Sequence, residues 1–251
     1  MTSVSVELSM PTSADLRGIV ERLEQLPDRV DRVVLTDNHA GTARMSPLAA
    51  VAAVLESGRR CTVCASTRDR NRLALFAHVT GAVALGADEL LCMGGDSVAN
   101  VPRPDLRPTT LIEHASGWVN SAARIGACCA ADPETDRRSS SLARRKIEAG
   151  AAFFVTQAVY DTGQGRRVTE MLEALGAEAV VGLPLVTTSG ALAALARFAG
   201  HPPARFEELV KEGKGVELTQ KLLAELGAAR AHIYPVGPQA WQSLPDVVDG
   251  V

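Results

Sequence analysis

Four helical stretches of this chain end in the same dipeptide, and each time a strand-like run follows at once. The pairs are Gly86-Ala87, Gly150-Ala151, Gly176-Ala177 and Gly227-Ala228. A glycine just past a helix enters the left-handed conformation without steric cost and turns the chain back on itself. Repeated helix-to-strand corners of this kind mark parallel β-α units. Strand-like runs occupy residues 4–8, 32–36, 61–66, 89–93, 125–129, 153–157, 179–184 and 231–236. Eight units in 251 residues suit a closed barrel better than an open sheet. The expectation is an α/β chain forming a single (β/α)8 TIM barrel, with residues 1–251 as one domain.

Helical spacing fills the gaps between the strands. Ser13 reads as the N-cap of a helix carrying Leu16, Ile19, Val20, Leu23 and Leu26. Residues 47–55 read as a second helix. Asp69 reads as the cap of a third, with Leu73, Phe76, Ala77 and Val79 along one side. Further helices are expected near 107–122, 137–149, 165–175, 188–199 and 215–226, with a short extra one after Pro203. Segment 238–251 is short for a full eighth helix and is expected to fray.

Composition narrows the partners. Hydrophobic residues at 46% and charged residues at 22% make an ordinary globular balance. A net charge of −3 provides no basic field for nucleic acid or an anionic membrane, and 4% aromatics disfavour base stacking. No apolar segment approaches the ~20 residues that span a bilayer. The first residues lack the basic-then-apolar pattern of a signal peptide. Five cysteines, an odd count, suit reduced cytoplasmic thiols better than a disulfide framework.

In such a barrel, chemistry gathers at the C-terminal strand ends. Glu7 lies in the apolar run Val4-Ser5-Val6-Glu7-Leu8, either as a strand-end charge in water or as a general acid favoured by partial burial. Asp96 follows Gly94-Gly95, where the backbone admits a flat ligand; a plain turn aspartate is the alternative. Gln157 ends an apolar strand and both donates and accepts, as a heteroaromatic amide edge requires, though strand ends commonly carry such residues. Strand two ends in Thr36-Asp37-Asn38-His39. Strand three ends in Cys64-Ala65-Ser66-Thr67, followed by Arg68-Asp69-Arg70-Asn71, and strand eight carries His232 and Tyr234. Arg144-Arg145-Lys146 reads either as a solvated helix face or as a holder of phosphate or carboxylate. Cys61 and Cys64 form a C-x-x-C, but positions i and i+3 of a strand face opposite ways, so core cysteine is a better account than a metal site. His78 and His114 fall in helices and read as structural.

Taken in order, these strand ends resemble the methylenetetrahydrofolate reductase family. The likeness runs roughly from Ser3 to Tyr234. It rests on Ser5-Val6-Glu7-Leu8 with Pro11, Thr36-Asp37-Asn38, Arg68-Asp69-Arg70-Asn71, Gly94-Gly95-Asp96, Lys146-Ile147-Glu148-Ala149-Gly150-Ala151, and Thr156-Gln157 with Asp161. The resemblance implies hydride transfer from NAD(P)H, directly or through FAD, to 5,10-methylenetetrahydrofolate. Glu7 then matches the acid that protonates N10 and opens the ring to a 5-iminium cation. Asp96 matches the aspartate that binds the pterin and stabilises that cation. Gln157 matches the glutamine on the pterin edge, while Thr36, Ser66, Gly95, Arg145 and Lys146 match positions around the cofactor. The implied partner is a reduced folate.

The chain departs from the flavin-binding pattern of that family at several places. Cys64, Gly94, Cys128 and Asp132 stand where that pattern has other side chains, and Ala191 and Pro238 align with folate-contacting positions. Retention of Glu7, Asp96 and Gln157 beside a substituted flavin site points to an altered cofactor or substrate. Two other readings follow from the same pattern. One is a folate-dependent methylene transferase without net reduction; the other is a non-catalytic folate-binding subunit.

Overall fold

The computed structural model describes residues 2–96, 106–131, 138–199 and 201–250. The strands are β1 (Ser3–Leu8), β2 (Val30–Leu35), β3 (Arg60–Ser66), β4 (Glu89–Met93), β5 (Arg124–Cys129), β6 (Phe153–Thr156), β7 (Glu178–Leu185) and β8 (Arg230–Pro235). Each pairs in parallel with the next, and β8 closes on β1. Every expected strand is present, with ends within two residues of those read from the sequence.

The helices are α1 (Arg17–Glu24), α2 (Val51–Glu56), α3 (Arg72–Ala84), α4 (Pro108–Val119), α5 (Ser139–Glu148), α6 (Thr162–Ala174), α7 (Ser189–Ala199), α8 (Ala204–Lys211), α9 (Gly215–Glu225), α10 (Pro238–Gln242) and α11 (Leu244–Asp249). All four Gly-Ala corners have the left-handed glycine that the sequence requires, with φ of 102°, 113°, 79° and 62° in chain order. The alanine N–H then reaches back over the helix end: Ala87 to Ala82, Ala151 to Lys146 and Ala177 to Leu172, at 2.9–3.0 Å.

Strand alternation divides the apolar residues between two layers. Val4, Val6, Leu8, Val33, Leu35 and Val63 face outward under the helices. Val34, Cys64, Leu91, Phe153, Val155 and Val180 fill the barrel interior. Cys61 belongs to the outer layer and Cys64 to the inner, as a period of two demands.

The floor of the barrel, at the strand starts, is ionic. Glu89 receives two bonds from Arg230 at 2.8 and 2.9 Å, one from Arg124 at 3.1 Å and one from Thr62 at 3.0 Å. Arg32 binds Asp88 through both terminal nitrogens at 2.7 and 2.6 Å. Phe153 lies under Arg124 and Arg230, its centroid 5.4 and 5.3 Å from their guanidinium carbons. Gly126 makes room for that ring, because a Cβ there would overlap it.

Several helix details differ from expectation. Ser13 does not cap α1; the Asp15 carboxylate instead accepts from the Arg17 N–H at 3.0 Å. Residues 47–50 form a 3-10 turn before α2. Asn71 caps α3, accepting from Ala74 N–H at 2.9 Å, while Asp69 sits in a left-handed turn with φ 62°. The buried face of α3 is Leu75, His78, Val79 and Ala82, and Leu73 is 78% exposed. Segment 238–250 does not fray: α10 and α11 bury Ala240, Leu244, Val247 and Val248. Position 137, where the fifth helix was expected to begin, lies outside the described residues.

Between β7 and α9 the chain makes an excursion through α7 and α8, with a core of its own around Val186, Leu195, Phe206 and Val210. Tyr160 packs edge-on to Phe206 at 5.0 Å. The end of α7 brings Ala199 to the barrel mouth.

Candidate active site

A cavity opens at the C-terminal mouth of the barrel and encloses about 790 Å³, its open end included. Glu7 on β1, Asp96 after β4 and Gln157 after β6 all line it. Strand alternation aims Glu7 inward, and the carboxylate is 22% exposed. His232 on β8 lies buried beneath it, with Nε2 3.8 Å from Glu7 Oε2. The Ser5 hydroxyl donates to the Ala231 carbonyl at 3.1 Å and lies 3.0 Å from His232 Nδ1. With that hydroxyl hydrogen committed, Nδ1 carries the proton and donates to Ser5. The other ring nitrogen, Nε2, is the one turned toward Glu7.

Asp96 follows a turn that only glycine permits at Gly95, where φ is 83° and a Cβ would press on Ser66 Oγ and Arg68 Cβ. The Asp96 carbonyl accepts from Arg68 Nη1. Beside it, the buried Asp37 carboxylate pairs with Arg70 through both oxygens and accepts the Ser66 N–H at 2.9 Å. The Arg68–Asn71 segment thus fastens the ends of β2, β3 and β4 together. The sequence left its role open, because its partners lie about thirty positions away along the chain.

Thr36 also lines the cavity; its side chain is buried, and its hydroxyl has no hydrogen-bond partner. The inner wall is apolar and neutral. Burial pushes the Cys128 thiol up to about 11 and Cys64 well above its ordinary value. Tyr234, likewise pushed up by burial, donates to the Thr156 carbonyl at 2.6 Å and meets His232 edge-on at 4.6 Å. Gly182 leaves the space that the Tyr234 ring occupies. Among the described residues, no group of three or more His, Cys, Asp or Glu is arranged to hold a metal ion.

The remaining expected residues divide. Gly95 lines the cavity, whereas Ser66 lies behind it. Lys146 reaches from α5 to the Cys128 carbonyl at 2.6 Å and lines an adjoining recess with Ser139 and Gln157. The buried Ser139 hydroxyl has no partner. Arg145 is exposed on α5 and lines neither the cavity nor that recess. Asp132 lies outside the described residues. His78, outside the site, donates to the Cys64 carbonyl at 3.0 Å and is structural, as expected.

No curated protein matches this chain. Among solved structures, a Clostridium thermocellum protein that binds two copies of 5-methyl-5,6,7,8-tetrahydrofolic acid superposes with a TM-score of 0.76 at 13% identity, covering 100% of this chain and 96% of its own. Ligand-free tryptophan synthase from M. tuberculosis superposes with a TM-score of 0.60 at 12% identity, covering 98% of this chain and 91% of its own. At such identities these likenesses speak to the barrel alone. The sequence itself matches methylenetetrahydrofolate reductase over residues 1–229, and the chain belongs to that family.

Proposed function

We propose that this protein reduces 5,10-methylenetetrahydrofolate to 5-methyltetrahydrofolate with hydride taken directly from NAD(P)H. The observation that carries the reading is that an acid, a carboxylate and an amide from three strand ends line one cavity. The Clostridium neighbour, which binds 5-methyl-5,6,7,8-tetrahydrofolic acid on the same fold, supports the ligand class.

In this reading Glu7 gives its proton to N10, the bond from N10 to the methylene carbon breaks, and the cation at N5 is stabilised by Asp96. Hydride from the nicotinamide adds to the methylene carbon to give the methyl product. Glu7 is left as a carboxylate and regains a proton from solvent. Gln157 and the unpartnered Thr36 hydroxyl meet polar edges of the ring. Lys146 and Ser139 line the recess that adjoins Gln157.

The donor set fits a resident flavin dinucleotide poorly. A flavin dinucleotide retained through every turnover needs cations that are free to hold its diphosphate, a stronger demand than that of a nicotinamide dinucleotide exchanged at each turnover. Lys146 is held by the Cys128 carbonyl, Arg68 by Asp69 and the Asp96 carbonyl, and Arg70 by Asp37. Purified protein is therefore expected to be colourless, and an absorbance scan checks this.

The deciding experiment follows NADH and NADPH oxidation in the presence of methylenetetrahydrofolate for the wild type and Glu7→Gln. The variant is expected to lose about 10²–10⁴ in turnover while keeping folate affinity. Equal rates would remove Glu7 from the mechanism. Release of tetrahydrofolate to an acceptor without nicotinamide oxidation would replace reduction with methylene transfer. A folate complex with no turnover would identify a binding subunit.

A further inference from the structure

A second, broad groove lies beside the mouth, between the segment after β1 and helix α10. We propose that it takes the carboxylate-bearing tail of the pterin ligand, with Arg44 and Arg22 binding the anion and Trp241 backing the Arg22 guanidinium. The inference rests on the pterin reading of the mouth and extends it to the rest of the ligand.

Charge decides where an acidic tail can go. The acidic and basic side chains lining the mouth are Glu7, Asp37, Asp96 and two histidines, so the mouth offers a carboxylate no permanent cation. The ligand class joins its pterin through an aminobenzoyl ring to a dicarboxylate, and that end must leave the acidic mouth. One neighbouring recess offers a single cation, Lys146, which also donates to the Cys128 carbonyl. The groove, with two guanidiniums, lies beside the ends of β1 and β8, which are neighbours in the barrel. On one wall Glu7 faces the mouth and Ser9, just beyond the strand, faces the groove. On the opposite wall Tyr234 and Pro238 hold the same relation.

Arg44 is fixed in the groove before any ligand arrives. Its Nη1 donates to the Met10 carbonyl at 2.7 Å, its backbone N–H to Asn38 Oδ1 at 3.0 Å, and the next residue, Met45, donates to the Pro11 carbonyl at 2.8 Å. Its Nε is buried without a partner. Arg22 lies over the Trp241 ring at 5.2 Å, which orients the guanidinium and leaves its N–H edge for an anion. Among the described residues, no carboxylate pairs with either arginine. Of the acids that share the groove, Asp15 is bound by Arg17 at 2.9 and 2.6 Å, and Glu21 is exposed on α1. Placing two held guanidiniums on a preformed surface removes much of the ordering cost of binding.

The test compares 5-methyltetrahydrofolate with a 5-methyltetrahydropterin that lacks the tail, by titration calorimetry. The wild type should prefer the tailed ligand, and the preference should shrink with added salt. Arg44→Ala and Arg22→Ala should each weaken the tailed ligand about tenfold and leave the tail-less one unchanged. Lys146→Ala should keep the preference. Unchanged binding of the tail-less ligand also reports that each variant is folded. If Arg44→Ala lowers both affinities, Arg22→Ala and Trp241→Leu, neither of which removes a bond to the backbone, carry the comparison. A preference that survives both arginine variants, or one lost in Lys146→Ala, overturns the groove assignment. A wild type that binds neither ligand overturns the pterin reading itself.

Discussion

Thr36 and His78 show how single side chains divide between ligand and fold. The Thr36 hydroxyl is buried at the mouth with no partner, a cost that a purely structural residue has no reason to carry. Thr36→Val should therefore leave stability unchanged or raise it by up to about 1 kcal/mol while weakening ligand binding several-fold. A thermal melt beside a folate titration checks both halves. His78 serves the fold. Burial pushes its pKa down, against the pull of its bond to the Cys64 carbonyl. With the folded value below 6.5, the unfolded chain binds the proton first as pH falls. Its contribution is thus complete above the ordinary histidine range and declines as pH drops through it. Melts at about pH 7.5 and pH 5.5 should show a loss in the wild type that is smaller in His78→Gln.

The turn after β4 is the element on which the site depends. Gly95 needs φ 83°, and an added Cβ would meet Arg68 Cβ at 2.9 Å. Gly95→Ala should cost more than about 1 kcal/mol and, by moving Asp96, lower folate affinity at least tenfold. A denaturation curve and a titration test this, and unchanged affinity would detach Asp96 from the ligand. The glycines and the aspartate of this turn stand together in the sequence and were legible there. The Arg70–Asp37 pair that braces it joins residues 33 apart and was not. Helix α3 misled for another reason. It is apolar on nearly every side, so helical spacing does not reveal which face turns inward. Docking on β3 buries Leu75 and Val79 and leaves Leu73 in solvent.

Across the whole molecule, opposite poles of the barrel do different work. The mouth carries the candidate chemistry, while the floor is closed by Arg32, Arg124 and Arg230 against Asp88, Glu89 and Glu178. Glu89 is fully buried among these arginines. Removing it takes from Arg230 and Arg32 their buried partner and leaves them only Glu178 and Asp88, so Glu89→Ala should cost about 3 kcal/mol. Because the floor lies across the barrel from the mouth, folate affinity of the surviving folded protein should not change. Urea denaturation and a folate titration on the same preparation test the separation.

Much of this was local and could be read along the chain. A left-handed glycine at each of four helix ends, and apolar runs of strand length, are conditions on a few neighbouring residues, and they specify parallel units before any packing is known. The strand ends likewise displayed Glu7, Asp96 and Gln157 as separate signals. What tertiary structure alone decided is where strands far apart in sequence meet. Barrel closure sets β8 against β1 and so places His232 under Glu7, and it assembles the ionic floor from one residue at the start of each of several strands. Electrostatic partnership depends on distance in space, and a linear pattern does not contain that distance until the chain has closed on itself.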